Sequence, residues 1–151
     1  MFLQLLQNTA EYKRLAAALS QKGASALFGL PPAGRAAMLA ALAGQLGRPL
    51  LVVTPGEAEA TRFAADLAAF GLAAAVFPPR DFLLRPVESA SREYEYRRLA
   101  VLGALAGGRL DAVCAPAEAL LQYTVPKSDF SANTLTLRPG ASIQPAALAA
   151  R

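Results

Sequence analysis

Four short apolar runs, residues 24–28, 49–53, 73–77 and 110–115, alternate with longer segments whose apolar residues recur at helical spacing. A continuous apolar run of about five residues reads as a strand covered on both faces. Strands that alternate with helices pair in parallel, with helices packed on both sides of the sheet. The pattern therefore predicts a three-layer αβα domain with a mostly parallel sheet. The helical segments are punctuated as helices should be. Thr9 caps residues 9–20, which carry Tyr12, Leu15 and Leu19. Residues 35–46 carry Met38, Leu39, Leu42 and Leu46 and stop at Gly47. Between Gly56 and Gly71, Ala60, Phe63, Leu67 and Phe70 form one face, and Glu57 and Glu59 favour the N-terminus. Residues 91–106 place Tyr96, Leu99, Leu102 and Ala106 on a stripe, and Pro116 opens a short helix at its preferred position. Residues 123–131 read as loop and 134–137 as an edge strand. A last helix, 145–151, runs out after about two turns with no stop signal, so the chain reads as part of something longer.

The first turn between strand and helix carries the strongest motif. Gly29-Leu30-Pro31-Pro32-Ala33-Gly34-Arg35-Ala36 has the layout of a phosphate loop, G-x-x-x-x-G-K-[ST], with both glycines kept. Arg35 stands where the lysine belongs and Ala36 where the hydroxyl belongs. Pro31 and Pro32 remove two backbone N–H donors from the cradle. A planar guanidinium does not replace a compact ammonium on phosphate oxygens, and alanine cannot hold Mg²⁺. Gly29, Gly34 and Arg35 are the candidate phosphate contacts of a loop that has lost its chemistry, with only the helix N-terminus left to attract an anion.

Little else in the chain offers catalysis. There is no histidine, which removes the usual general base and the commonest metal ligand. Cys114, the single cysteine, excludes an internal disulfide and a cysteine-rich zinc site, and it fits a reducing compartment. It falls in a core strand with nothing to activate it, so inert packing is favoured. Hydrophobic residues make up 54% and charged residues 17%, a globular balance. The net charge of +4 comes from twelve arginines and three lysines, and is too dispersed to argue for nucleic acid. Phe2 to Leu6 lacks the basic lead of a signal peptide, and no apolar run approaches the roughly 20 residues that cross a bilayer. A cytoplasmic protein is expected.

Residues 78–91 hold Pro78, Pro79, Arg80, Asp81, Arg85, Pro86 and Glu88 around the apolar patch 82–84. They read as an irregular loop beyond a strand's carboxyl end, where open α/β sheets place ligands; a connector pinned by its apolar residues is the favoured reading. Arg92, Arg97 and Arg98 lie among Glu88, Glu93 and Glu95 and read as a salt-bridged helix surface. Tyr94 and Tyr96 read as core or rim. Asp111 begins its strand instead of ending it, the wrong place for a metal-binding acid.

An ordered set of segments carries a resemblance beyond fold class. It comprises Phe28-Gly29 with the eroded loop, Leu51-Val52-Val53-Thr54-Pro55 with Glu57-Ala58-Glu59-Ala60, and Phe77-Pro78-Pro79-Arg80-Asp81. It continues with Ser91-Arg92-Glu93-Tyr94-Glu95-Tyr96-Arg97-Arg98-Leu99 and Pro116-Ala117-Glu118-Ala119-Leu120-Leu121-Gln122. Together these resemble the N-terminal region of bacterial transcription-repair coupling factors, itself similar to the first domain of the excision-repair subunit UvrB. The likeness spans roughly residues 9–148. It implies a RecA-like lobe of the P-loop NTPase, helicase-type fold with a degenerate phosphate loop over residues 1–137. Residues 138–151 would begin the following small domain.

The resemblance further implies a module without ATPase activity and without a cofactor of its own, ATP and Mg²⁺ being bound elsewhere in the parent. Its partners would be UvrA and other domains of the same protein, with RNA polymerase and DNA reached through the parent. In that family the main UvrA-contacting surface belongs to the next small domain. The 78–91 segment is too short for the DNA-gripping hairpin of UvrB. Two further readings stand beside this one: a regulator with residual nucleotide affinity at Gly29, Gly34 and Arg35, and an unrelated small enzyme using the 78–91 loop.

Overall fold

The structure, a computed structural model, describes residues 2–21, 24–80, 92–135 and 139–140. Among the described residues three strands, β1 (Leu50–Thr54), β2 (Ala74–Val76) and β3 (Ala112–Pro116), form a wholly parallel sheet in the order β1-β3-β2. The chain steps from β1 past the position of β3 to β2 through helix α4 (Glu57–Ala69). It then returns to the centre through α5 (Glu93–Ala106). Two crossovers of the same hand taken in opposite directions must lie on opposite faces of the sheet. They do. Ala60, Ala64 and Leu67 of α4 pack on Ala112 and Cys114, whereas Val101 of α5 packs on Val113 and Ala115. The predicted three-layer αβα architecture is the one observed.

On the α4 face lies α3 (Pro32–Leu46), contributing Ala36 and Ala40 to the same cluster. Alanine here lets helices approach the sheet closely, but each alanine removes little apolar surface from water. Leu67, wholly buried, is the large aliphatic side chain of that cluster. Outside α3 sit α1 (Phe2–Gln7) and α2 (Ala10–Ser20), with Tyr12 and Ala16 against Met38, Ala41 and Leu42. Thr9 joins the two short helices. Its hydroxyl donates to the Leu6 carbonyl at 2.7 Å and accepts from the Tyr12 N–H at 3.3 Å, the expected N-cap bond. Gly47 ends α3 in the left-handed region at φ 58°.

At the N-terminal edge of the sheet, Asp111 fastens three strands. Its carbonyl accepts from Leu50 N–H at 2.8 Å and its N–H donates to the Ala73 carbonyl at 2.9 Å. Its Oδ2 accepts from the Ala73 N–H at 2.8 Å. As expected, this carboxylate precedes its strand.

Several sequence expectations are corrected. Residues 24–28 are not a strand; they are exposed, with Phe28 at 87%. Strand β1 is covered on one face only, since Leu51 and Val53 are 60% and 54% exposed. The expected loop 123–131 holds most of a short helix, α7 (Lys127–Ala132). The short helix expected at Pro116 is present as α6 (Ala117–Leu120), with Pro116 as its N-cap and not its first residue. Thr134 and Leu135 are not in a strand; positions 136–138 and the expected helix 145–151 lie outside the described residues.

Candidate functional site

The sequence points to two places, the turn before α3 and the carboxyl edge of the sheet. The turn is built by its prolines. Pro31 is the N-cap of α3 and Pro32 its first residue, so the helix starts two residues before Gly34. Gly29 takes a positive φ of 79°, which a glycine adopts freely. Gly34 lies inside the first turn, where an added Cβ would come within 3.2 Å of the Pro31 ring. The Arg35 N–H donates to the Pro31 carbonyl at 3.0 Å. Pro31 and Pro32 carry no N–H, so this turn can present at most the N–H groups of Ala33 and Gly34 to an anion.

The side chains at the turn are also engaged. Arg35 folds back, its Nε donating to the Leu30 carbonyl at 3.2 Å. Ala36 is wholly buried among Ala40, Ala60 and Ala64. A hydroxyl at position 36 would enter the core instead of facing a metal. Gly29, Gly34 and Arg35 thus fall within one turn, without a strand leading into it.

The carboxyl edge of the sheet holds a network that sequence reasoning misplaced. Arg98 is not a surface residue; it is 3% exposed and sits among the strand ends. Its guanidinium lies over the Phe77 ring, 4.0 Å from the centroid. Its Nη1 donates to the Pro78 carbonyl at 2.7 Å, the Gln122 Oε1 at 3.3 Å and the Ala119 carbonyl at 3.4 Å. Its Nη2 donates to Thr124 Oγ1 at 3.4 Å. Gln122 closes the network by bonding both backbone groups of Arg80: Oε1 accepts from the Arg80 N–H at 2.7 Å, and Nε2 donates to the Arg80 carbonyl at 3.4 Å. Burial, and then the nearby charge of Arg80, lower the pKa of Arg98 from its ordinary value. One arginine thus ties α5 to the ends of β2 and β3.

Its neighbours behave differently. Arg97 is solvated, 4.0 Å from Glu57 and over the Tyr94 ring at 5.7 Å. Tyr96 is 65% exposed and is not on the packing face of α5. Of the expected loop 78–91, Pro78 is fully buried and Arg80 exposed, and positions 81–91 lie outside the described residues. Cys114 is buried in β3, and burial raises its thiol pKa to about 11. A thiol so placed is no nucleophile near neutral pH. Among the described residues no group of three or more His, Cys, Asp or Glu could hold a metal ion. No helix among them is long and apolar enough to cross a membrane.

Comparison with known proteins gives one relationship. Over 127 residues, 83% of its length, the chain is 25% identical to the transcription-repair-coupling factor of Bacillus subtilis (strain 168). It spans 11% of that relative's length. No protein-family model matches the chain, and no solved structure matches it. The similarity supports a relationship to transcription-repair coupling factors.

Proposed function

We propose that the chain is a non-catalytic module of a transcription-repair coupling factor, working by contact with other proteins. Residues 1–137 form its UvrB-like, RecA-type lobe, and residues 138–151 begin the next small domain. The module helps to recruit the excision-repair machinery through UvrA and restrains other domains of its parent. ATP hydrolysis, translocation on DNA and contact with RNA polymerase belong to the rest of that parent, in the cytoplasm. The observation that carries this reading is the similarity to a coupling factor across 127 residues. The turn before α3 supports it: two prolines where donors would be, Arg35 spent on Leu30, and Ala36 in the core.

Two measurements test the proposal. Calorimetric titration with ATP and Mg²⁺ should give no binding tighter than about a millimolar dissociation constant. A coupling factor lacking the corresponding residues should hydrolyse ATP faster than the intact protein, and restoring them should return the rate to its resting level. Unchanged hydrolysis on deletion would remove the restraint role.

A second reading, a regulator with weak residual affinity at Gly29, Gly34 and Arg35, is favoured by one feature. Ala33 and Gly34 still point N–H groups out of a helix N-terminus. Saturable micromolar binding of ATP, lost in Gly34→Pro, would establish it.

A further inference from the structure

The network around Arg98 opens on a recess of about 150 Å³. Its walls include the guanidinium-bearing Arg80 and Arg98, the exposed apolar residues Leu99, Tyr123 and Val125, and Glu95. We propose that this recess receives the carboxylate of one acidic side chain from a protein segment, held by Arg80 and Arg98, with that segment's apolar neighbours resting on Leu99, Tyr123 and Val125. The inference rests on the docking reading for its occupant being a protein.

Charge is the first reason. A buried guanidinium normally has a carboxylate partner, because taking it out of water is costly. Arg98 is buried, yet every acceptor it has among the described residues is neutral: two carbonyls, an amide oxygen and a hydroxyl. Among those residues no carboxylate comes within 4.0 Å of it, the two ion pairs being Arg62–Glu59 and Arg97–Glu57. Arg80 adds a second positive charge close enough to disfavour protonation of Arg98. Among the described residues of the lining, Glu95 supplies one negative charge against the two arginines, a net +1. An anion between the two arginines would relieve their repulsion.

Preorganisation is the second. Phe77 and the Pro78 carbonyl fix the plane of the Arg98 guanidinium, and Gln122 fixes the Arg80 backbone from both sides. The ordering of Arg98 is complete before a ligand arrives, which lowers the cost of binding. Nη2 carries two hydrogens and makes one long contact, to Thr124, among the described residues. It retains donor capacity for a carboxylate oxygen.

Size and rim decide the occupant. Small-molecule and cofactor sites occupy roughly 300–1,000 Å³, so this recess is too small for a nucleotide and suits a side-chain head group. Three exposed apolar side chains beside two cations make a surface for a peptide with an acidic residue between aliphatic ones. A free inorganic anion would gain nothing from them. The recess also lies at the carboxyl edge of a parallel sheet, where open α/β folds bind their ligands.

The test uses the 151-residue chain labelled with ¹⁵N and three probes: acetyl-Leu-Glu-Leu-amide, acetyl-Leu-Gln-Leu-amide and inorganic phosphate. The glutamate peptide should shift the Arg98 Nε and Thr124 amide resonances saturably, and bind about tenfold tighter than the glutamine peptide. Arg98 variants could unfold, so the discriminating variant is Arg80→Gln at an exposed position; it should weaken the glutamate peptide by about tenfold and leave the melting temperature unchanged. Equal affinity for the two peptides, or phosphate binding as tightly as the glutamate peptide at the same resonances, would overturn the proposal. Glutamate-peptide binding in a chain that fails to restrain its parent would uphold the recess and remove only the docking reading. Restraint undiminished by Arg80→Gln, with no peptide-induced shift, would remove the recess alone.

Discussion

Leu51 and Val113 stand opposite each other in register on one face of the sheet, yet Val113 is buried and Leu51 is 60% exposed. The cause is the reach of α5. Its Val101 packs with Phe77, Val113 and Ala115, over the β2–β3 half of that face. Val113→Ala should therefore destabilise the fold by about 2 kcal/mol, whereas Leu51→Thr should change it by less than about 0.5 kcal/mol. Urea titrations with an unchanged slope would measure both. Equal losses would mean that β1 is covered after all.

Tyr12 supplies a second test, on the outer helical layer. Its hydroxyl is buried and donates to the Ala41 carbonyl at 3.0 Å, with Gln45 Oε1 at 2.6 Å from the same oxygen. A phenol has one proton, so both contacts are satisfied if the Gln45 amide is turned to donate its NH₂. Tyr12→Phe keeps the ring and loses both, at a cost of about 1–2 kcal/mol. Gln45→Leu in the Tyr12→Phe background should cost little more, because the partner is already gone. Additive losses would separate the two side chains.

The sequence made the middle of this fold legible. Period gave α2, α3 and α4, and apolar runs gave β1, β2 and β3, because those residues bury a face that repeats at the period of the element. Where burial did not follow hydrophobicity, the reading failed. Residues 24–28 are as apolar as a strand but pair with no strand among the described residues, and no pattern within a segment reveals whether a neighbour exists to take its hydrogen bonds. Helix α7, Lys-Ser-Asp-Phe-Ser-Ala, has no apolar stripe to find. On α5 the buried side runs through Arg98 and Val101, because a guanidinium is needed at the strand-end carbonyls. Reading charge as surface rotated that helix toward Tyr96 and Leu99. The motif at Gly29–Arg35 was visible as residues, but the burial of Ala36 was not.

Cys114 gives the fold a pH dependence of known sign. Its thiol is raised to about 11 by burial, above the ordinary value of 9.0, so the folded state holds its proton more tightly than the unfolded chain does. Its stabilisation is complete below about pH 9 and is lost as pH rises toward about 11. At roughly 1.4 kcal/mol for each pH unit separating the two states, the loss approaches about 3 kcal/mol. Tyrosine and lysine side chains titrate in the same range, so the readout is the difference between wild type and Cys114→Ala across pH 8 to 11. That difference should shrink as pH rises; a constant gap would show that Cys114 ionises as freely in the fold as out of it.

Restoring the phosphate-loop residues tests what replaced them. Arg35→Lys acts on an exposed side chain whose bond among the described residues is to the Leu30 carbonyl, and should change stability by less than about 0.5 kcal/mol. Ala36→Thr is different. It adds two heavy atoms to a position with no exposure, against Ala40, Ala60 and Ala64, and overpacking of this kind costs about 1–3 kcal/mol. The new hydroxyl can bond back to the Pro32 carbonyl, which limits its polar cost but also turns it away from any metal. The double variant should thus be less stable than wild type and release no phosphate from ATP, since Pro31 and Pro32 still withhold two N–H groups from the cradle. Phosphate release above the buffer rate would show that the prolines do not limit the loop. An unchanged melting temperature would show that position 36 has room the packing denies.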